Sequence, residues 1–218
     1  MVAVLPLVLE AGTALWVDAA GTLLHPAHPV AEVYAEFAGR FGHAVQATRV
    51  ARELGPAMQR HRALRRGDPS WRAFWAAVIE DTTGVADPRM LDALLVHYAG
   101  GDAWTVEPDA RECIEAVRAR GVRTALISNW DDRLRSTLEA LDLVGLFDAL
   151  LISGEEGVEK PEPEIFRRAA GRLSVPAERS LMVGDNPRAD VEGARRAGAF
   201  VIQFGREIRG FAEIMDSL

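Results

Sequence analysis

The chain has 218 residues, with 25 basic and 32 acidic side chains and a formal net charge of −7. That balance excludes the basic footprint of a nucleic-acid-binding protein. The single cysteine, Cys113, cannot form an internal disulfide, so the cysteine content does not indicate an oxidising compartment. The length suffices for one sizeable α/β core and a smaller accessory domain.

The first residues, MVAVLPLVLEAGTALWV, form an apolar start. They lack the positive n-region of a signal peptide, and Pro6 and Glu10 interrupt the apolar run. No stretch reaches the roughly 18 to 20 apolar residues that cross a membrane. We therefore expect a cytoplasmic protein with no membrane partner.

Apolar runs of strand length recur along the chain, and each is apolar on both faces, which is typical of buried parallel strands. They lie at residues 14–17, 123–127, 149–152, 180–183 and 200–203. Helical patterns lie at 108–120, 131–141, 161–173 and 188–197. This alternation predicts an α/β fold with right-handed βαβ units and a parallel sheet.

One interval breaks this alternation, because the residues between the first strand and Pro108 show helical periodicity and no convincing strand. Candidate helices lie at 30–41, 49–65, 69–81 and 88–98. We predict an all-helical cap domain at 26–101, inserted into a core of 1–25 and 102–218. An insert at the carboxyl end of a parallel strand lies where such sheets bind ligands.

Polar residues follow the predicted strands where each one ends. Asp18 comes directly after the first strand, although an Asx-turn would explain it equally. Ser128 and Asn129 follow the strand at 123–127, and Asn129 could instead cap the next helix. Each residue has an ordinary structural explanation when it is taken alone.

Taken together, these residues indicate a catalytic site, because the carboxyl ends of successive parallel strands lie close together. Three carboxylates crowded there imply a cation, and oxygen ligands without His or Cys favour Mg²⁺ over zinc. A lysine and a serine beside them suit the oxygens of a phosphoryl group. The residues concerned are Asp18, Ser128, Lys160, Asp185 and Asp190.

The motifs DxxGTL, SN, KPxPxIF and GDNxxxD occur in that order, from Asp18 to Asp190. In this order they resemble the haloacid dehalogenase-like superfamily, in its subgroup with a helical cap inserted after the first motif. The resemblance covers nearly the whole chain, from Ala14 to about Gly205. It implies a Rossmann-like core and a hydrolase that acts on a small-molecule substrate, as a monomer or homodimer.

The resemblance also implies a role for each matching residue. Asp18 matches the nucleophile that forms a covalent aspartyl intermediate. Ser128, with Asn129 beside it, matches the position that bonds the transferred group, and Lys160 matches the lysine that neutralises nucleophile and phosphate. The resemblance further implies a Mg²⁺ cofactor whose ligands come from Asp18, the backbone carbonyl of Ala20, Asp185 and Asp190.

Ala20 departs from the phosphatases of this family, which carry an aspartate there to protonate the leaving oxygen and then activate water. The departure leaves open a phosphatase of reduced power, an L-2-haloacid dehalogenase-type hydrolase, or a metal-binding relative with little turnover. A phosphonatase would need a cap lysine, and the only lysine of the chain is Lys160. His25 and His28 could supply a substitute acid, but solvated loop histidines are the favoured interpretation.

The predicted cap contains a group of aromatic residues and a group of arginines. We expect the aromatic residues Trp71, Phe74 and Trp75 to pack in a core, because they recur at helical spacing. We expect the arginines of the cap to form a solvated face. They are Arg49, Arg52, Arg60, Arg62, Arg65 and Arg66.

Overall fold

The structure is a computed structural model and describes residues 5–218. Residues 1–4, the beginning of the apolar start, lie outside the described residues. The strands are β1 (Ala14–Val17), β2 (Leu24–Pro26), β3 (Trp104–Val106), β4 (Arg123–Ser128), β5 (Ala149–Ile152), β6 (Ser180–Gly184) and β7 (Phe200–Gln203). The helices are α1 (Val30–Arg40), α2 (Ala47–Arg60), α3 (Arg72–Thr83), α4 (Pro88–Ala99), α5 (Ala110–Ala119), α6 (Arg133–Ala140), α7 (Ser153–Glu156), α8 (Pro163–Leu173), α9 (Gly193–Arg196) and α10 (Ala212–Met215).

The main sheet has five strands in the order β5-β4-β1-β6-β7, and every pairing in it is parallel. The predicted α/β fold with a parallel sheet is therefore confirmed. β1 lies in the centre, and Val17 at its end stands opposite Leu126 of β4 and Val183 of β6. The chain continues from β1 to β4 and β5 on one side of it and then crosses to β6 and β7 on the other. The carboxyl end of β1 is therefore the switch point where such folds bind ligands.

Burial explains why β1 occupies the centre of the sheet. All four of its residues are fully buried, as expected for a strand covered on both faces. Trp16 packs against Phe166 of α8 with their ring centroids 6.0 Å apart. This packing fixes the strand end from which the site residues project.

The chain divides into two compact units. The sheet unit comprises Met1–His25, Val106–Trp130 and Leu141–Leu218, and the helical unit comprises Pro26–Thr105 and Asp131–Ala140. The second segment of the helical unit contains α6, which the sequence-based boundaries assign to the core. A contact between distant segments accounts for this grouping, since Arg133 Nη1 of α6 donates to the carbonyl of Leu95 in α4 at 3.1 Å.

The helical unit has its own apolar core. Trp71 and Phe74 are buried there, with Trp75 packed against the same cluster, so the expected core packing is confirmed. The expected solvated face is wrong for one arginine. The guanidinium of Arg65 lies over the rings of Trp71 and Phe74, at 4.5 and 4.3 Å from their centroids.

Several sequence-based predictions of secondary structure need correction. The interval without a convincing strand contains β2 and β3 at its edges, and they pair with each other. The helix predicted at 188–197 is a π-helical turn, Pro187–Glu192, followed by the short α9. Strands of three residues are too short to show a period of two, which explains why they escape pattern analysis.

In the part of the chain that the structure describes, the helices are too short or too polar to cross a lipid bilayer.

Candidate functional site

Asp18 directly follows β1 and is almost fully buried. Its backbone N–H donates to the carbonyl of Val183 at 3.0 Å, which extends the β1–β6 pairing by one residue. Its side chain accepts a hydrogen bond from Lys160 Nζ at 2.5 Å. The carboxylate is thus held at the carboxyl end of the central strand.

Lys160 places its ammonium group among three oxygen atoms. Nζ lies 2.5 Å from Asp18 Oδ1 and 2.6 Å from Asp190 Oδ1, and it donates to the carbonyl of Ile127 at 2.6 Å. The residue is 2% exposed. A lysine is almost never buried without partners, and here it has two carboxylates and a carbonyl.

Asn129 holds the backbone of Lys160 with both ends of its amide group. Asn129 Nδ2 donates to the carbonyl of Lys160 at 2.8 Å, and Asn129 Oδ1 accepts from the Lys160 N–H at 2.7 Å. The amide therefore acts as the partner strand would in a sheet. This pairing joins the end of β4 to the segment that carries the lysine.

The loop after β6 brings Asp185 and Asp190 to the same edge. Thr22 Oγ1 accepts the backbone N–H of Asp185 at 3.0 Å, and Asp190 Oδ2 accepts that of Asn186 at 2.9 Å. Asn186 in turn caps the following turn, because its Oδ1 accepts the N–H groups of Arg188 and Ala189. These contacts fix both aspartates.

Two glycines allow this close approach. Gly21 has φ +83°, and a Cβ built on it would lie 2.7 Å from Asp185 Oδ2. A Cβ on Gly184 would overlap the carboxyl group of Asp190. Only glycine therefore fits at these two positions of the DxxGTL and GDN motifs.

The carboxylates of Asp18, Asp185 and Asp190 have ligand atoms within 4.8 Å of one another. Burial, with the charges of Asp190 and Asp185, raises the pKa of Asp18 to about 7, although Lys160 opposes the shift. Burial and the charge of Asp190 also raise the pKa of Asp185. Burial would lower the pKa of Lys160, but Asp18 and Asp190 outweigh it and hold that pKa above its ordinary value.

With all three carboxylates ionised, the excess of carboxylates over the one ammonium of Lys160 leaves the cluster with a net negative charge. A divalent cation would balance that charge, and the donor set contains only oxygen atoms apart from the lysine. Burial raises the pKa values of Asp18 and Asp185 and the neighbouring carboxylates raise them further, so a cation bound between these carboxylates would favour their ionised forms. The residues present therefore fit a hard cation such as Mg²⁺.

Ser128 and Ala20 complete the set of predicted residues. Ser128 is buried, and among residues 5–218 its Oγ has no hydrogen-bond partner. Ala20 is exposed, and it forms an isolated bridge with Leu24. A buried hydroxyl without a partner is a donor available to a ligand oxygen.

The structure thus brings Asp18, Lys160, Asp185 and Asp190 into one cluster, with Ser128 at the end of the neighbouring strand. Asn129 contacts the backbone of Lys160. The supporting residues Thr22 and Asn186 and the carbonyl of Ile127 are not among the residues predicted from the sequence. Thr22 lies within the DxxGTL motif and Asn186 within the GDN motif, so membership of these motifs was the signal that could have found both residues.

Comparisons with known proteins identify the family. Residues 13–198 match the family model of haloacid dehalogenase-like hydrolase. The chain is 30% identical over 197 residues to haloacid dehalogenase-like hydrolase domain-containing protein 3 of Bos taurus, which covers 83% of this chain and 77% of that protein. It is 35% identical over 139 residues to phosphoserine phosphatase of Thermus thermophilus, which covers 63% of this chain and 55% of the relative.

Solved structures share the fold. A phosphatase of the same family from Thermococcus onnurineus has a TM-score of 0.67 and 24% identity, over 93% of this chain and 95% of that one. L-2-haloacid dehalogenase from Xanthobacter autotrophicus with chloropropionic acid covalently bound has a TM-score of 0.67 and 23% identity, over 90% of this chain and 79% of that one. The extent of the family match, together with these relatives, shows that the chain belongs to the haloacid dehalogenase-like hydrolase family and is, as predicted, a hydrolase.

Proposed function

We propose that this hydrolase is a Mg²⁺-dependent phosphatase that acts on a small phosphorylated metabolite through an aspartyl-phosphate at Asp18. The observation that carries the proposal is the cluster of Asp18, Asp185 and Asp190 around Lys160. Displacing a halide from carbon needs neither this concentration of carboxylates nor a cation. Phosphatases among the relatives, including the one from Thermus thermophilus, support the same reaction class.

Each residue of the cluster has a task in this reaction. An oxygen of Asp18 attacks the phosphorus atom, and water then cleaves the acyl phosphate and restores the carboxylate. Lys160 Nζ, held by Asp190 and the carbonyl of Ile127, offsets the charge of the nucleophile and of the phosphoryl oxygens. The unpartnered Ser128 Oγ donates a hydrogen bond to a phosphoryl oxygen.

Asp18, Asp185 and Asp190, with the carbonyl of Ala20, would hold the Mg²⁺ ion. When bound, the ion would withdraw electron density from the phosphoryl group and offset the charge of the carboxylates. Asp18 is almost fully buried, so little bulk water screens its carboxylate and these electrostatic interactions are stronger than they would be in water.

The test is phosphate release from para-nitrophenyl phosphate, measured with Mg²⁺ and with a chelator. We expect activity only with Mg²⁺, and we expect Asp18→Asn to lower kcat to background, a factor on the order of 10⁶ for the loss of a nucleophile. Asp92→Asn is a matched control, because Asp92 pairs with Arg72 on the surface of the helical unit. Calorimetric titration should show that Asp185→Ala weakens Mg²⁺ binding.

A dehalogenase is the second candidate, and the observation that favours it is Ala20, because a departing halide needs no proton. Halide release from an L-2-haloacid in the presence of chelator would establish it and exclude the phosphatase. If neither phosphate nor halide is released while Mg²⁺ still binds, the chain is a metal-binding relative with little turnover.

A further inference from the structure

Ala20 leaves one step of the proposed phosphatase reaction without a residue to perform it. The leaving oxygen of a phosphate ester needs a proton, and the attacking water must lose one. Ala20 lies two residues beyond Asp18, where its methyl group can do neither. Another side chain of the same sheet edge would have to carry this proton.

The turn after Asp18 brings one titratable residue next to that position. Leu24 N–H donates to the carbonyl of Ala19 at 2.8 Å, and Gly21 N–H donates to the carbonyl of Leu24 at 2.9 Å. Leu24 consequently forms a bridge with Ala20. His25 follows directly, so it stands one residue from the partner of Ala20.

His25 is also positioned by a carboxylate. Its Nε2 lies 2.8 Å from Glu107 Oε2, and the Glu107 side chain is 16% exposed. Glu107 is itself fixed, because its backbone N–H donates to the carbonyl of Leu23 at 2.8 Å. The ring of Phe204 lies 6.5 Å from the imidazole, between centroids.

The turn that leads to His25 also approaches the carboxylate cluster. A Cβ built on Gly21, within this turn, would lie 2.7 Å from Asp185 Oδ2. The backbone therefore brings His25 close to the site, and its imidazole makes an ion pair with Glu107.

We propose that His25, oriented by Glu107, is the general acid and base of this enzyme in place of the missing carboxylate at Ala20. This inference rests on the proposed phosphatase function. A histidine whose second nitrogen is held by a carboxylate is a common arrangement for proton transfer, since the carboxylate fixes the ring and stabilises its protonated form.

The proton balance of the two steps is complete. As an Asp18 oxygen bonds to phosphorus and the ester P–O bond breaks, the His25 imidazolium gives its Nδ1 proton to the leaving oxygen. The resulting imidazole then accepts a proton from water as the water oxygen bonds to phosphorus and the bond to Asp18 breaks. The products are an alcohol and phosphate, and the Asp18 carboxylate and the imidazolium are regenerated. The Nε2 atom of His25 keeps its own proton throughout, in the ion pair with Glu107.

The experiment compares two leaving groups in the full-length protein with Mg²⁺. Phenyl phosphate releases a basic phenolate, whereas para-nitrophenyl phosphate releases a much weaker base that needs little protonation. For His25→Asn we expect kcat/KM on phenyl phosphate to fall by about 10² to 10⁴, and on para-nitrophenyl phosphate by less than about tenfold. For Glu107→Gln we also expect kcat/KM to fall more on phenyl phosphate than on para-nitrophenyl phosphate, with smaller losses than for His25→Asn.

Two further variants test the assignment. His28→Asn is the matched control, because His28 is exposed and should leave both rates unchanged. Adding Ala20→Asp to His25→Asn should restore activity on phenyl phosphate, since the carboxylate takes over the proton transfer. A variant with only a disturbed fold would lose both substrates equally and would not be rescued.

The outcomes separate this inference from the function on which it rests. Equal losses on the two substrates, or no rescue by Ala20→Asp, would overturn the role of His25 and leave the phosphatase intact. Absence of Mg²⁺-dependent phosphate release from both substrates in the unmodified protein would overturn the proposed function, and the role of His25 with it.

Discussion

The two units of this protein place their charged residues differently. In the sheet unit, Asp18, Lys160 and Asp190 are each at most 5% exposed, and Lys160 forms an ion pair with each aspartate. In the helical unit most ion pairs lie on the surface, as with Arg72 and Asp92, whose side chains are 50% and 57% exposed. Buried charges depend on their partners, whereas exposed pairs are solvated with or without them. The difference teaches that the charges at the sheet edge depend on one another, whereas most charges of the helical unit depend on water.

The comparison is tested most strongly at Lys160. Replacing it by Met leaves the carboxylates of Asp18 and Asp190 buried without their counter-charge, so we expect a loss of about 5 kcal/mol in the free energy of unfolding. The matched change Arg72→Met should cost less than about 1 kcal/mol. Urea denaturation in the presence of chelator measures both. Equal losses would show that burial does not distinguish the two units.

One ion pair of the helical unit should behave like those of the sheet unit. Asp131 is fully buried and accepts hydrogen bonds from Arg133 Nη2 at 2.6 Å and from Trp75 Nε1 at 2.7 Å. Asp131→Asn keeps the shape and removes the charge, and we expect it to cost about 3 kcal/mol. The cost is smaller than at Lys160 because Arg133 is 16% exposed and can be hydrated.

Urea denaturation again provides the measurement for Asp131, with Asp92→Asn as the control on the same unit. If the two asparagine variants unfold at the same urea concentration, the buried pair contributes no more than a surface pair. In that case the two units would differ in the catalytic use of their charges and not in the stability that those charges contribute.

The smallest effect is expected at Asp87, a partly buried aspartate that precedes α4. Its side chain accepts the Arg89 N–H, and hydrogen bonds from Arg89, with a weaker one from His43, hold its pKa well below the ordinary value of 3.8. Because the folded-state pKa is lowered, its charge stabilises the protein above pH 3.8, and this contribution is lost as the pH falls through the folded-state value.

Asp87→Asn isolates this charge, because asparagine can still accept the capping hydrogen bond. We expect a slightly lower Tm for the variant at neutral pH and a difference that shrinks at strongly acid pH. Thermal unfolding followed by circular dichroism at a series of pH values measures it. A constant difference at every pH would mean that Asp87 contributes through its hydrogen bond geometry and not through its charge.

The parallel sheet and the proximity of the carboxylates could be predicted from the sequence, because the apolar runs mark the strands and the carboxylates follow where the strands end. Asp18 and Asp185 directly follow β1 and β6, and parallel neighbours bring such ends together. The sequence predicted less well where a contact joins distant segments. Asn129 could equally have been a cap or a ligand, and only the fold shows its amide on Lys160, 31 residues away.

The same limit explains the errors in the helical unit. Asp131 reads as the start of a helix, and no local pattern indicates that Trp75, 56 residues earlier, donates to it. Helical periodicity predicts the insert, yet the grouping of α6 with the helical unit depends on contacts such as that of Arg133 with the carbonyl of Leu95. The tertiary fold determines which partners long polar side chains contact, and the periodicity of the sequence carries no information about those contacts.

The two hydrogen bonds between the Asn129 amide and the Lys160 backbone also affect how firmly the lysine is held in the site. The backbone of Lys160 is secured by a side chain rather than by a neighbouring strand. Losing these two hydrogen bonds would loosen the backbone of Lys160 while the pairing of the five-stranded sheet stayed intact. Only the contacts of Nζ with Asp18, Asp190 and the carbonyl of Ile127 would then hold the lysine in the cluster. The charge balance of the carboxylates thus depends in part on one amide side chain that carries no charge itself.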